Sequence, residues 1–150
     1  MGKRYFTVDE ANRLVPRLQA AFGRVMQLRA QLKAVYRRLD ARKLAPTDES
    51  FPVEIPGAPP EVVRDRATFK ALALALREEL AAVHETGCVI KDVEIGLVDW
   101  FAEQDGREIL LCWRCGEKEV GFWHDLEAGY AGRRPVAELR AGAAGLRLLH

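Results

Sequence analysis

Residues 96–136 read GLVDWFAEQDGREILLCWRCGEKEVGFWHDLEAGYAGRRPV. This stretch holds all three tryptophans and two of the three cysteines, and it closes on Arg133-Arg134-Pro135. From Cys88 onward, apolar residues recur every second position, which is the signature of strands. The alternation predicts four strands over 88–94, 97–103, 107–114 and 119–124, arranged as an antiparallel meander. Gln104-Asp105-Gly106-Arg107 carries the Asp-Gly pair of a two-residue hairpin turn. Pairing across that turn sets Asp99 opposite Cys112, Trp100 opposite Leu111 and Phe101 opposite Leu110.

The two faces of this hairpin differ in chemistry. Val98, Trp100, Ala102, Ile109, Leu111 and Trp113 make one face wholly apolar, suited to packing on helices. Leu97, Asp99, Phe101, Leu110, Cys112 and Arg114 make the other, where apolar walls surround a carboxylate, a thiol and a guanidinium. The closing loop 125–136 is positioned to fold over this mixed face. The turn at Gly116-Glu117 leaves the register of the last strand open by one residue. One slip exchanges Trp123 and His124 between the faces, so either could join Asp99.

Upstream, the chain reads as helix. Thr7 and Glu10 have capping-box spacing, and Asp9 and Glu10 sit at the positive end of the helix dipole. Pro16 falls two turns in and predicts a kink. Leu18, Val25, Leu32 and Leu39 then keep a heptad line beside Leu14, Ala21, Leu28 and Val35. Arg17, Arg24 and Arg38 flank the seam in a row with Gln31, placed to pair with carboxylates of a second helix. Residues 44–60, LAPTDESFPVEIPGAPP, break helical periodicity with prolines and a glycine and read as a mobile connector. Pro59-Pro60-Glu61 opens the second helix, Val62, Phe69, Leu72, Leu76, Leu80 and Val83 form its apolar face, and Gly87 ends it. Glu61, Asp65, Glu78, Glu79 and Glu85 supply its carboxylates.

These elements predict an α+β fold: a long antiparallel helical hairpin (7–86) packed on one face of a four-stranded antiparallel meander (88–124). Residues 1–136 read as one domain, and 137–150 as a loosely held tail. Helices over 7–43 and 61–86 would span roughly 55 and 39 Å, against about 20 Å for six-residue strands. The hairpin therefore overhangs the sheet, and its uncovered stripe predicts a homodimer through the helices.

Composition narrows the function. A hydrophobic content of 49% with 30% charged residues is that of a globular domain. No run reaches the roughly 18 apolar residues of a membrane span, and the opening MGKRYFTVDE lacks the apolar core of a signal peptide. Phe6 stands where a myristoylation signal requires Ser or Thr. An odd count of three cysteines points to free thiols in a reducing cytoplasm. Residues 1–43 carry eleven Lys/Arg against three Asp/Glu, a net +8, whereas 88–127 carry four against ten, a net −6. Complementary pairing of these halves, within one subunit or between two, explains the asymmetry better than nucleic-acid binding along the first helix. Arg outnumbers Lys by 17 to 6 in a chain rich in Ala and Leu, which weakens any inference from arginine alone.

Three constellations carry possible chemistry. Cys112-Trp113-Arg114-Cys115-Gly116 has the spacing of a zinc knuckle, and Cys88 with His124 could complete a tetrahedral set. No second C-x-x-C accompanies it, and strand alternation separates Cys112 from Cys115 unless the turn begins at Arg114. A redox reading is weaker, because thioredoxin-type pairs sit at a helix N-terminus. His124-Asp125 with Asp99 and Glu117 offers acid–base groups, but no serine-nucleophile motif, phosphate loop or dinucleotide glycine pattern accompanies them. Arg133 and Arg134 are placed to grip a carboxylate or phosphate.

The runs G-L-V-D-W, L-C-W-R, G-E, V-x-x-W-H and G-x-A-G-R-R-P, with the opening T-V-D-E-A-N-R-L-V-P, resemble an uncharacterised bacterial family, domain of unknown function 2203. The resemblance covers the first helix and the sheet region and implies a cytoplasmic bacterial protein, with no activity attached. The family pattern includes Asp99, Cys112, Trp113, Glu117, Trp123, His124, Gly129, Gly132, Arg133 and Pro135. Members often lack a cysteine at the place of Cys115, which disfavours the knuckle as a shared feature. The leading functional expectation is a non-catalytic module that binds a small ligand, an anion where Arg133 and Arg134 take part, or a partner protein. Its candidate site residues are Asp99, Cys112, Glu117, Trp123, His124, Arg133 and Arg134. A zinc protein or an enzyme using His124, Asp99 and Cys112 ranks second, with Cys88, Cys112, Cys115 and His124 as candidate metal ligands. Nucleic-acid binding ranks third.

Overall fold

Thr7 and Glu10 start the first helix in the way their spacing predicts. In the computed structural model, which describes residues 3–47 and 52–141, Thr7 Oγ1 accepts from the Glu10 N–H at 3.0 Å. Glu10 Oε1 accepts in return from the Thr7 N–H at 2.9 Å. Helix α1 (Val8–Ala41) runs unbroken through Pro16. It ends in a Schellman arrangement, with Leu44 N–H on the Leu39 carbonyl and Lys43 N–H on that of Asp40. Lys43 takes the left-handed position usually given to glycine, at φ 57°. Helix α2 (Pro60–Glu85) begins on the proline tolerated at that position. Gly87 follows it at φ 103°. A Cβ there would meet Phe6 Cζ at 2.5 Å, so backbone conformation and packing both require glycine.

Five strands follow: β1 (Val89–Asp92), β2 (Leu97–Gln104), β3 (Arg107–Arg114), β4 (Phe122–His124) and β5 (Arg134–Pro135). They form one antiparallel sheet in the order of the chain. The meander thus has five strands rather than four. The added strand comes from the closing loop, where Pro135 pairs with Phe122 and Arg134 with Trp123 at the sheet margin. A two-residue strand ending in proline has no alternation to read and is tolerated only at an edge. The β2–β3 register is the one the Asp105-Gly106 turn predicts, with Asp99 opposite Cys112 and Trp100 opposite Leu111. Both turn residues adopt positive φ, 53° and 75°. A three-residue 3-10 turn (Tyr130–Gly132) precedes β5, and the short helix α3 (Ala137–Ala141) follows it. Residues 142–150, the greater part of the predicted loose tail, lie outside the described residues.

Contacts divide the chain into two compact units, Gly23–Ala81 and the segments on either side of it. In the sheet-containing unit, the apolar face is core: Val98, Trp100, Ile109, Leu111 and Trp113 are at most 1% exposed. The first turns of α1 cover it. Phe22 lies against Trp113, and Phe6, just ahead of the helix, lies against Trp100, each pair with ring centroids 6.4 Å apart. Phe6 also donates its N–H to the Phe101 carbonyl at 2.8 Å, on the margin of β2 beyond the reach of β1.

In the unit Gly23–Ala81, Val35, Leu39 and Val62 form a small buried core with Phe69 and Leu72 packed against it. Arg24 bonds Glu79 and Arg38 bonds Asp65, each through two guanidinium nitrogens, so two of the flanking arginines meet carboxylates of the second helix. Arg42 reaches Glu61 at 3.4 Å. Arg66 is 5% exposed and donates to the carbonyls of Leu44 and Pro52, holding both described arms of the connector. Residues 48–51 of that connector lie outside the described residues.

Candidate metal centre

Three adjacent strands each contribute one side chain to a polar cluster on the mixed face. β2 presents Asp99 and β3 presents Cys112 directly opposite. β4 settles the open register: Trp123 pairs with Leu111 and His124 with Leu110. Trp123 therefore joins the apolar face, and His124 joins Asp99, diagonal to Cys112. The loop ahead of β4 is fixed from α1, where Asn12 Oδ1 accepts from the Val120 N–H at 2.6 Å and Gln19 Oε1 from the Gly116 N–H at 3.0 Å. These contacts are remote in sequence, so local periodicity carries no trace of them.

One ligand atom each from Asp99, Cys112 and His124 lie within 4.8 Å of one another. Exposure is 2% for Asp99 and His124 and zero for Cys112. His124 Nε2 is 3.1 Å from Asp99 Oδ2, and its Nδ1 is 2.7 Å from the Asp125 carbonyl oxygen. A carbonyl only accepts, so Nδ1 carries the proton and Nε2 points into the cluster. Asp99 Oδ1 is buried with no hydrogen-bond partner among the described residues. Burial, helped by the Asp99 charge, pushes the Cys112 thiol up to about 12. The protein alone thus keeps a protonated thiol beside a buried carboxylate.

Arg133 closes the face. Its Nη2 donates to Glu117 Oε1 at 2.6 Å and to the Cys112 carbonyl at 3.5 Å. Its guanidinium stacks over Phe122 and Tyr130, at 4.0 and 4.7 Å from the ring centroids. Glu117 also accepts from the Arg114 N–H at 2.8 Å. Arg134 points elsewhere, over the Trp123 ring and onto Glu138 at 2.7 Å. Of the seven candidate residues, Asp99, Cys112 and His124 form the cluster, Glu117 and Arg133 form its clasp, and Trp123 and Arg134 lie apart from it.

The knuckle does not assemble. Cys115 sits past the strand end, against Gln19 Oε1 at 3.2 Å. Cys88 contacts the Val83 carbonyl at 3.4 Å and Thr86 at 3.6 Å. Neither belongs to the group of ligand atoms, where Asp99 stands instead. Strand β3 ends at Arg114, and the turn that follows carries Cys115 toward Gln19 of α1, away from Cys112 on the mixed face. Burial pushes both outlying thiols up.

A family described as "Uncharacterized conserved protein (DUF2203)" matches residues 4–136. No curated protein and no solved structure matches the chain.

Proposed function

Because the chain belongs to this uncharacterised family, which brings no activity with it, we propose from the site itself that the protein is a metal-binding module. Its centre is Asp99, Cys112 and His124, and its ion is a divalent transition metal of the zinc class. The observation that carries this reading is the buried grouping of a carboxylate, a thiol and an imidazole nitrogen, in which Asp99 Oδ1 has no hydrogen-bond partner by geometry among the described residues. An oxygen, sulfur and nitrogen donor set suits Zn2+ or a neighbouring late transition ion, and donors around one tetrahedral ion sit roughly 3.4 Å apart. The His124–Asp99 pair is already at 3.1 Å, and donors now within 4.8 Å of one another would close by up to about 1.4 Å to reach that spacing. The bond from His124 Nδ1 to the Asp125 carbonyl is the outer-shell contact that fixes the tautomer of a metal-bound histidine. An ion would take up the unpartnered carboxylate oxygen and displace the thiol proton of Cys112. Three protein donors leave a fourth position for water. The three donors, one from each of three adjacent strands, would tie those strands together through the ion.

An organic ligand on the same face has less support, since Arg133 pairs through Nη2 with Glu117, leaving its buried Nε without a partner among the described residues, and the central donors are enclosed. The bacterial cytoplasm is the setting we propose, where three free cysteines remain available as thiols.

Protein purified without a His tag and dialysed against Zn2+ should retain one ion per chain by elemental analysis. Co2+ in its place should give a sulfur-to-metal charge-transfer band and intense visible bands of four-coordination. Cys112→Ser and His124→Ala should each abolish retention, while Cys88→Ser and Cys115→Ser should not. A folded sample that retains no ion and shows no thermal shift with Zn2+, Co2+ or Ni2+ would sink the proposal.

A further inference from the structure

The donors of the metal centre proposed above are at most 2% exposed. An ion reaches or leaves them only if part of the protein moves aside. Strands β2 and β3 are poorly suited to that motion. They pair residue by residue along their whole length, and their opposite face carries Trp100, Leu111 and Trp113 at no more than 1% exposure. Separating them would open the core of the sheet-containing unit.

Residues 125–133, between β4 and β5, are held differently. None of them is buried, and Leu126 and Tyr130 are 48% and 41% exposed. The backbone bonds of this segment close inside it: Ala128 N–H on the Asp125 carbonyl, Gly132 N–H on that of Gly129 and Arg133 N–H on that of Tyr130. Gly129 bends the chain between the two turns at φ 65° and ψ −168°, a region that glycine enters without strain. Among the described residues, side chains tie the segment to the neighbouring strands. Asp125 accepts from Arg107 at 2.7 Å and the Tyr130 hydroxyl from Arg114 at 3.3 Å. The third tie, Arg133 to Glu117 at 2.6 Å, is made by a side chain only 10% exposed.

The segment also touches two of the three donor residues. Phe122 stands opposite Cys112, and the Arg133 guanidinium lies 4.0 Å from the Phe122 ring centroid with its Nη2 3.5 Å from the Cys112 carbonyl oxygen. The Asp125 carbonyl accepts from His124 Nδ1 at 2.7 Å and from the Ala128 N–H at 3.1 Å. One oxygen therefore orients a metal donor and closes the first turn of the segment.

On the premise of that metal centre, we propose that residues 125–133 are its gate. The Arg133–Glu117 pair is the latch, and the Asp125 carbonyl couples the position of the gate to His124. Once the latch is released, the segment carries its own backbone bonds with it, so opening costs far less than separating strands. A bound ion fixes His124 and, through it, the Asp125 carbonyl, so occupancy holds the gate shut. The gate sets the rate of exchange, and the three donors set the affinity.

The test follows Co2+ uptake by the metal-free full chain in stopped flow at the sulfur-to-metal band. The uptake rate should level off with rising Co2+ at a plateau set by opening. Glu117→Gln, and separately Arg133→Met, which keeps an apolar side chain over Phe122, weaken the latch. Each should raise that plateau, and the rate of release to EDTA, about tenfold, as the loss of a charge-assisted hydrogen bond from the closed state requires. Each should still retain one ion per chain by elemental analysis. Simple damage to the site would speed release and lower retention without speeding uptake. In the parent, Zn2+ should slow hydrogen exchange at the Ala128 and Gly132 amides. A parent that retains one ion, with exchange of these amides indifferent to Zn2+ or both rates indifferent to both substitutions, would overturn the gate alone. A parent that retains no ion would overturn the metal centre and the gate with it.

Discussion

Asp99 concentrates the chemistry of the molecule in one side chain. Both ring nitrogens of His124 face oxygen atoms, so the contact to Asp99 Oδ2 is satisfied only if the pair holds an extra proton or an ion. Asp99→Asn removes the charge and supplies an amide donor to Nε2, while Nδ1 keeps its bond to the Asp125 carbonyl. Beside a neutral imidazole, a buried carboxylate is an unpaired charge that costs free energy, and a neutral amide hydrogen-bonded in its place does not carry that cost. We expect the metal-free Asp99→Asn protein to be more stable by about 1 kcal/mol, or about 2–4 °C in Tm. We also expect the upward shift produced by Zn2+ in the parent to disappear. Calorimetry with and without the ion checks both signs, and a variant that melts lower yet still responds to Zn2+ would refute this account of Asp99. The sequence makes Asp99 and Cys112 neighbours through the Asp-Gly turn. It leaves His124 undecided, because the loop from Gly116 to Gly121 is anchored by Asn12 and Gln19 from more than ninety residues away.

Among the elements, the start of α1 has the clearest pH signature. Acceptance of the Thr7 N–H, then bonding to Thr7 Oγ1 and the nearby Arg4 charge, holds the Glu10 carboxyl below the ordinary glutamate range, against a smaller opposing effect of burial. A lowered carboxyl contributes stability that is fully present above its unfolded value and is lost as pH falls through the folded value. Glu10→Gln should therefore lower the urea midpoint at pH 7, and the gap from the parent should close on acidification below the folded value. A gap of constant size from pH 7 to pH 3 would exclude the carboxylate as its source. This cap, the Pro60 start of α2 and the β2–β3 hairpin are all legible in sequence because each rests on contacts within a few residues. Strand β5 is not, since two residues have no period. The role of Arg66 is not legible either: a buried arginine bonding backbone carbonyls looks, in sequence, like any other solvated charge on a helix.

At the scale of the whole molecule, the two contact units have cores of different kinds. The sheet-containing unit buries Trp100, Trp113, Phe22 and Leu18 at 0% exposure. The Gly23–Ala81 unit centres on Val35, Leu39 and Val62, and Leu28, Leu32, Leu76 and Leu80 are only half-buried. Backbone amides open at free energies that follow local burial. Hydrogen exchange should be slowest in β2 and β3 and measurably faster in 28–36 and 69–80, and uniform protection across both regions would contradict the difference in cores. Heptad spacing indicates a helical pair, but it cannot distinguish a seam filled by a neighbouring helix from one left open on a flank.

The two-residue β5 has a consequence for how this protein meets other molecules. A sheet margin with free backbone donors and acceptors is a template on which further chains can grow. Here one margin ends in Pro135, which has no N–H to offer. On the other, β1 is short and irregular, and Phe6 occupies the backbone acceptor just beyond it. Both margins are thereby blunted against fibrillar propagation, and assembly is left to side-chain surfaces, where recognition depends on shape and charge.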